Sequence, residues 1–309
     1  MLPGCEPSRP GASGCRNGTG PKVNGIRHLL SGVGQTADMA GPRNTTRRHP
    51  SAGNVTARPA LVAPGATPVA LPPCSFPHGD ESGPPAIRLG PDLDNENLSR
   101  LLGPLEGRRV LELGCGAGSA AVAMATAGAR VTAVDSSTAR LTRARTAAEM
   151  AEVRIEFHHG EPADLAFVRA DSIDAVLAVY SLGAVEDLPR VFRQLHRVLT
   201  TGGPLLIALA HPLSLMVDWD PEETPTPWIS RPFSSPGSVA WSVAGEEYLT
   251  HVHQTSTVFT ALQRSNFRVD TLLEPEPVVS DQDSRSPHRS PTDAWVPPTL
   301  VMRARKEGI

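Results

Sequence analysis

The amino-acid sequence predicts an α/β fold, in which helices cover both faces of a mostly parallel sheet. From about residue 90 onward, short apolar runs alternate with longer segments of helical character, and this alternation is typical of parallel sheets. The first apolar run leads into a glycine cluster, "VLELGCGAGS", and the second, "RVTAVD", stops at an acidic residue. A strand, a glycine loop, a helix and a second strand in this order form the ligand-binding crevice of doubly wound sheets.

The individual strands and helices are predicted in chain order from their apolar periodicity. Ser136 or Ser137 supplies a helix N-cap after the second strand, and Gly202 with Gly203 ends the helix before the fifth strand. The predicted strands span residues 108–113, 130–135, 154–160, 172–182, 204–212, 267–277 and 297–305. The predicted helices span residues 94–105, 119–128, 136–153, 186–203 and 255–266.

The composition divides the chain into two parts. Residues 1–85 are rich in Pro, Gly, Ser, Thr and Arg and show almost no periodicity, so we expect a disordered low-complexity extension that buries too little apolar surface to offset the entropy of ordering it. A targeting peptide, a tail that folds on a partner and a start codon assigned too far upstream remain alternatives. Residues 86–309 form the second part, which residues 213–253 interrupt with an insertion longer than an ordinary strand-to-helix connection.

Charge, cysteine usage and hydropathy exclude several classes of protein. A net charge of -3 and a pI near 6.4 give no general attraction to nucleic acid. No pair among the four cysteines has CxxC spacing, so neither a zinc site nor a redox pair is indicated. No apolar run reaches the ~18 residues of a membrane span, and the first residues lack the apolar core of a secretory signal. We therefore expect a cytoplasmic protein with reduced thiols, whose oligomeric state the sequence leaves open.

The glycine loop predicts a nucleotide-like cofactor. Gly114 and Gly116 permit positive φ and a close approach of the backbone to a ligand, and Asp135 ends the second strand where a carboxylate can accept ribose hydroxyls. A dinucleotide fingerprint requires glycine where Ser119 stands, and the negative charge of Glu112 disfavours a pyrophosphate while it suits a cationic amine or sulfonium. Both details favour S-adenosylmethionine over NAD, although an NAD-linked oxidoreductase remains the alternative.

These motifs together carry a resemblance to a known family. "VLELGCGAGS" followed by "VTAVDSS" resembles the cofactor motif of class I S-adenosylmethionine-dependent methyltransferases, and the resemblance extends over residues 90–306 to small-molecule methyltransferases of bacteria. It implies a Rossmann-like sheet of seven strands with an antiparallel last strand. It also implies methyl transfer to a small-molecule acceptor by in-line displacement. A non-catalytic module that has kept the cofactor fold is a further alternative.

The resemblance also implies which residues contact the cofactor. Glu112 and the loop glycines border the methionine part, Asp135 holds the ribose with Ser136 beside it, and Glu161 stands where the family usually has Asp near the adenine amine. Glu keeps the negative charge of Asp on a longer side chain. The structural alternative is that Glu161 is an acid at a helix N-terminus, where it interacts favourably with the helix dipole. The full set of expected cofactor contacts is Glu112, Gly114, Cys115, Gly116, Gly118, Asp135, Ser136, Glu161, Ala178 and Val179.

The acceptor site is expected at the carboxyl edge of the sheet. His211 directly follows the fifth strand and Tyr180 the fourth, so these two are the candidates for catalytic residues, with an edge histidine and a core aromatic as the structural alternatives. We further hypothesise that the insertion caps the acceptor, with Trp219, Trp228 and Trp241 as apolar walls.

Metal chemistry and nucleic-acid methylation are both disfavoured by the sequence. His251 and His253 alternate on one strand face, but no third metal ligand is evident. Enzymes that methylate base amines usually carry an Asp/Asn-Pro-Pro-aromatic motif after the fourth strand, where this chain has Val179-Tyr180-Ser181-Leu182. No metal is therefore predicted, and the expected partner is a small molecule.

Overall fold

Five apolar runs form the parallel strands at the centre of the protein. The computed structural model describes residues 73–76, 83–220, 222, 224–243, 246–278, 286 and 288–308. The central strands are β1 (Arg109–Leu113), β2 (Arg130–Asp135), β3 (Ile155–His159), β4 (Ala175–Val179) and β5 (Pro204–Ala210). Every residue of β4 and β5 is buried, which explains their continuous apolar sequences, because a parallel sheet is covered on both faces.

Two further strands complete one sheet of seven. They are β10 (Phe267–Leu273) and β11 (Thr299–Lys306), and the strand order is β10-β11-β5-β4-β1-β2-β3. β11 pairs antiparallel with both β5 and β10, whereas the other pairings are parallel. The predicted Rossmann-like, mostly parallel sheet with an antiparallel last strand is therefore confirmed.

Helices pack on both faces of this sheet. They are α1 (Asn95–Ser99), α2 (Ser119–Thr126), α3 (Thr138–Met150), α4 (Leu188–Val198) and α5 (Thr255–Arg264). The Ser137 side chain caps α3 by accepting from the backbone N–H of Arg140. One apolar core lies under α4 and α5, and a second lies under α2 and α3. The two-residue period of each strand divides its side chains between these two cores.

Several elements are shorter than the sequence predicts, and two of them end at a change of backbone conformation. The helix predicted over residues 94–105 is α1 followed by a 3-10 turn at Arg100–Leu102. The strand predicted over residues 172–182 is limited to β4, because Tyr180 takes a left-handed conformation (φ 57°) and a 3-10 turn, Ser181–Ala184, follows it. A left-handed residue cannot continue a strand, so the chain turns sharply at the carboxyl edge of the sheet.

A short N-terminal segment packs against the sheet domain. Pro73–Ser75 form a 3-10 turn, and Cys74, Ser75 and Phe76 are buried. The Phe76 and Tyr180 rings lie 5.3 Å apart in an edge-to-face contact, and Ser75 Oγ lies 2.7 Å from His288 Nδ1. This segment falls within the extension predicted over residues 1–85, so packed chain begins N-terminal to residue 86. Residues 1–72 and 77–82 of that prediction lie outside the described residues.

The insertion at residues 213–253 contains two hairpins. β6 (Val217–Asp218) pairs with β7 (Trp228–Ile229), and β8 (Ser238–Val243) pairs with β9 (Glu246–His251). The second hairpin contacts the 3-10 turn after β4, which places it at the carboxyl edge of the sheet.

In the part of the chain that the structure describes, no helix is long and apolar enough to cross a membrane.

Candidate cofactor and acceptor site

The loop between β1 and α2 requires glycine at two positions, each of which packs closely against a different element. Gly114 has φ +68°, and a Cβ there would lie 2.2 Å from Ser181 Cβ, in the turn after β4. Gly118 has φ +88°, and a Cβ there would lie 2.9 Å from Ala144 Cβ on α3. Any side chain at these positions would be strained and would collide with its neighbour. The glycines therefore bring the loop close to β4 and α2 close to α3.

Three strands place functional side chains on one face of the sheet. Because side chains alternate along a strand, Glu112 shares a face with Val110, Asp135 with Ala133, and Val179 with its strand neighbours in the core under α2 and α3. Ala178 points into the opposite core. The pleat thus brings Glu112, Asp135 and Val179 together and directs the Ala178 side chain away from them.

Asp135 is buried and extensively hydrogen-bonded. Its Oδ2 accepts from the backbone N–H of Gly116 at 2.9 Å, and its Oδ1 accepts from the backbone N–H of Ser137 at 2.8 Å. The Arg140 Nε–H also donates to Oδ1 at 3.0 Å, in an ion pair whose side chains are 9% and 1% exposed. This carboxylate therefore connects the glycine loop to the start of α3.

Arg140 is covered by the second hairpin of the insertion. Its Nη1–H donates to the Tyr248 hydroxyl at 3.2 Å, and its Cζ lies 5.6 Å from the centre of the Tyr248 ring. The Tyr248 ring stacks on Trp241, with centroids 4.2 Å apart, and Trp241 Nε1–H donates to Thr250 Oγ1. The insertion thus contacts Asp135 indirectly, through the Arg140 side chain.

Glu112 is the most perturbed acid of the site. Its Oε2 is buried and has no hydrogen-bond partner among the described residues. Burial, and secondly the charge of Asp135, raise the pKa of this carboxyl to about 8. A buried carboxyl without a partner is costly in its ionised form, so Glu112 is suited to a site where a ligand supplies a positive charge.

A cavity of about 380 Å³ borders Glu112. Its wall contains Cys115 and Val179 together with side chains of α2 and α3, and Phe76 and the segment before α1 close it. Arg88 lies on this wall, where its Nη1–H donates to Ser119 Oγ at 3.3 Å. The volume falls in the range of about 300–1,000 Å³ typical of small-molecule sites.

Other expected cofactor residues stand apart from this cavity. Ser136 and Glu161 are exposed, and Asp135 is buried beside the cavity without lining it. Burial also raises the pKa of the Cys115 thiol, so this cysteine is held as a neutral thiol in the loop.

Tyr180 is placed as a packed core residue. Its hydroxyl lies 2.7 Å from Thr299 Oγ1, its ring contacts Phe76, and its side chain is buried. Burial raises its pKa above the ordinary value for tyrosine. The geometry therefore opposes a phenolate at this position, and Tyr180 does not line the cavity beside Glu112.

His211 has both ring nitrogens engaged. Nδ1 accepts from the backbone N–H of Leu213 at 3.2 Å, so the proton resides on Nε2, which lies 2.9 Å from Glu274 Oε1. Burial lowers the pKa of His211 against the opposing influence of Glu274. His211 borders a separate surface cavity with Phe233 and Phe259, and it leaves no ring lone pair free for a general base.

The sequence did not single out Arg88, Arg140 or Tyr248. The position of Arg140 could have been predicted in part. It follows the strand-ending Asp135 by five residues, which places it in the first turn of α3, near the end of the preceding strand. Arg88 and Tyr248 lie far from the glycine loop in sequence, and only the fold brings them to the site. Among the predicted tryptophans, Trp241 is buried in the core under α2 and α3, whereas Trp228 is 40% exposed.

The sequence of this chain is similar to those of known methyltransferases. Residues 110–203 match the family model described as "Methyltransferase domain". A ubiquinone biosynthesis O-methyltransferase of Methylocella silvestris is 32% identical over 171 residues, which is 52% of this chain and 65% of that protein. A demethylmenaquinone methyltransferase of Clavibacter sepedonicus is 37% identical over 111 residues, 35% of this chain and 44% of that protein. The chain spans about half the length of the curated relatives it matches.

Solved structures show the same fold. An S-adenosylmethionine-dependent methyltransferase from Mesorhizobium loti superposes with a TM-score of 0.58 at 25% identity, covering 68% of this chain and 96% of that one. A putative S-adenosylmethionine-dependent methyltransferase from Listeria monocytogenes superposes with a TM-score of 0.59 at 20% identity, covering 69% and 96%. The superposed part of this chain therefore covers almost the whole length of both structures.

Proposed function

We propose that this chain, which carries a methyltransferase domain of the class I S-adenosylmethionine-dependent type, transfers a methyl group to a small-molecule acceptor. The observation that supports this most directly is Glu112, a buried carboxyl with an unpartnered oxygen on the wall of a ligand-sized cavity beside the glycine loop. Such a group accommodates a cationic ligand, and S-adenosylmethionine carries both an ammonium and a sulfonium.

The residues present fit this cofactor. We propose that Glu112 faces its cationic end, that the backbone of Gly114, Cys115, Gly116 and Gly118 lies along it, and that Asp135 with Ser136 takes its ribose. Val179 supplies an apolar wall. Ala178 contributes through its backbone, because its side chain lies in the opposite core. Glu161 is exposed, so a contact with the adenine amine requires its longer arm to reach over the edge of the sheet.

Arg88 is proposed to bind the carboxylate of the cofactor. Arg88 borders the same cavity as Glu112, and it contacts Ser119 at the first turn of α2. A zwitterionic amino-acid group needs an anion at one end and a cation at the other, and a guanidinium binds a carboxylate through two donors. The helix N-terminus beside Arg88 adds a favourable dipole for the same carboxylate.

The proposed transfer depends on alignment and on a dry site. The bound cofactor supplies an activated methyl group, whose transfer needs no further covalent chemistry from the protein. Phe76, Val179 and the alanines of α2 and α3 give the cavity an apolar wall, which we propose limits the access of water when the ligands are bound, and holding the reactants in line lowers the barrier. Because His211 and Tyr180 are both engaged in hydrogen bonds, we propose that neither acts as a general base and that the acceptor supplies its own nucleophilic lone pair.

Calorimetry tests the cofactor assignment. We expect S-adenosylmethionine and S-adenosylhomocysteine to bind the full chain, and NAD to show no heat of binding, because Ser119 stands where a dinucleotide-binding loop requires glycine. Arg88→Met should weaken binding of S-adenosylhomocysteine about tenfold, or ~1.4 kcal/mol, whereas Arg100→Met, which removes an exposed arginine paired with Glu96, should leave it unchanged. Binding of NAD in place of the two sulfur compounds would contradict the proposal.

A further inference from the structure

The acid proposed to hold the ribose is already supplied with hydrogen bonds by the protein itself. Asp135 Oδ1 accepts from Ser137 N–H and from Arg140 Nε–H, and Oδ2 accepts from Gly116 N–H. A carboxylate oxygen accepts about two hydrogen bonds. Oδ1 is therefore fully used, and two neighbouring ribose hydroxyls would find one acceptor position instead of two.

The hairpin β8–β9 contacts Arg140 and stabilises the Asp135–Arg140 pair. Tyr248 accepts from Arg140 Nη1–H, its ring faces the guanidinium, and Trp241 stacks behind it at 4.2 Å. The Asp135 side chain is 1% exposed beneath these groups, and it does not line the cavity that Glu112 borders. A ligand that binds Oδ1 must displace one of its two donors. The Ser137 N–H belongs to the backbone that caps α3, so Arg140 is the donor that can move, and its movement must disturb its contact with Tyr248.

We infer that Arg140 is an internal competitor for Asp135, held in place by Tyr248, and that the cofactor ribose displaces it. The inference rests on the proposed function. Arg140 and Tyr248 are positioning residues here, since they act on the ligand through Asp135. In such an exchange, every interaction that stabilises the Asp135–Arg140 pair subtracts from the affinity for the ligand, because the binding-competent state is only a fraction of the population.

The inference also assigns a role to the insertion. The hairpin β8–β9 lies over the Asp135–Arg140 pair and against the turn after β4. Displacement of Arg140 by the cofactor is therefore expected to change the position of this hairpin against that turn.

Tyr248→Phe isolates the competition, because it removes the hydroxyl that accepts from Arg140 and keeps the ring on Trp241. We expect S-adenosylhomocysteine to bind this variant about three to ten times more tightly than the wild type, with a faster association rate, from the loss of one hydrogen bond in the competing state. Arg140→Met removes the competitor itself and should tighten binding further. Both variants should unfold at a lower temperature than the wild type.

Opposite changes in affinity and stability separate competition from a merely structural role. Arg303→Met is the matched control, because it breaks another Arg–Asp pair, with Asp270 at 2.7 Å, between β10 and β11. It should lower stability and leave the affinity unchanged. The inference is overturned, with the proposed function intact, if the wild type binds S-adenosylhomocysteine and both site variants bind it equally or more weakly. If neither the wild type nor the variants bind it, the proposed function fails and the inference fails with it.

Discussion

Two buried carboxyl groups at the ends of neighbouring strands are treated differently by the fold. Asp135 has two backbone N–H donors and an arginine, so its negative charge is compensated within the protein. Glu112 has one oxygen without a partner among the described residues, and its pKa is raised to about 8. The same functional group, a carboxyl, thus serves two roles, and the difference lies in the neighbouring donors.

The raised pKa of Glu112 predicts a dependence of stability on pH. A carboxyl whose folded pKa exceeds its unfolded value binds more protons in the folded state, so stability falls as pH rises from about 4.5 to about 8. Glu112→Gln removes this ionisation. Relative to the wild type, the variant should therefore gain stability between pH 5 and pH 8, as measured by urea unfolding at several pH values without ligand. A constant difference between the two proteins across this range would contradict the assigned pKa.

At the scale of elements, the glycine loop determines how closely two helices and a strand meet. Gly118 lies at the N-terminus of α2 and permits contact with α3, while Gly114 permits contact with the turn after β4. The sequence motif therefore serves packing as well as ligand approach. The hairpin β8–β9 completes the same region by its contacts with α3 and with that turn.

Gly118→Ala tests the packing role of the loop. Alanine at this position must take an unfavourable left-handed backbone conformation, which costs about 1–2 kcal/mol. Its methyl group also lies 2.9 Å from Ala144 Cβ. Gly107→Ala is a suitable control, since Gly107 has φ +70° and nothing within 4 Å of the added Cβ. We expect the Gly118 variant to lose more free energy of unfolding than the Gly107 variant in urea denaturation. Equal losses would show that backbone strain alone matters at Gly118.

At the scale of the whole molecule, segments distant in sequence close the site over the sheet. The turn at Pro73–Ser75, the loop around His288 and the start of β11 meet at Tyr180, through Phe76, Ser75 and Thr299. Phe76 also borders the cavity beside Glu112. The site therefore depends on chain from the N-terminal side of the sheet domain as well as on the glycine-loop half.

Phe76→Ala tests this dependence. Phe76 is 1% exposed, and truncation of a buried phenylalanine typically costs about 3–5 kcal/mol. We expect a comparable loss of stability together with weaker binding of S-adenosylhomocysteine, because one wall of the cavity is removed. Phe259→Ala, on an exposed face of α5 at 36% exposure, should cost much less and leave binding unchanged. Wild-type stability in the Phe76 variant would show that the N-terminal turn adds nothing to the fold.

Local sequence determined the sheet domain and the type of loop that serves it. The period of apolar residues, the spacing of Gly114, Gly116 and Gly118, and the placement of Glu112 and Asp135 are all properties of short segments, since strands, turns and caps depend mainly on neighbouring residues. The fold class followed from these segments and is confirmed. The roles of the individual site residues remain proposals.

Tertiary structure alone decided which partners these residues have. His211 follows β5 as expected, but Glu274, 63 residues further along the chain, lies 2.9 Å from its Nε2. Tyr180 follows β4, but Thr299 lies against its hydroxyl from 119 residues away. Arg140 and Tyr248, 108 residues apart, meet above Asp135. Hydrogen bonding, burial and pKa depend on groups that approach through space, and the sequence determined only the elements that carry them.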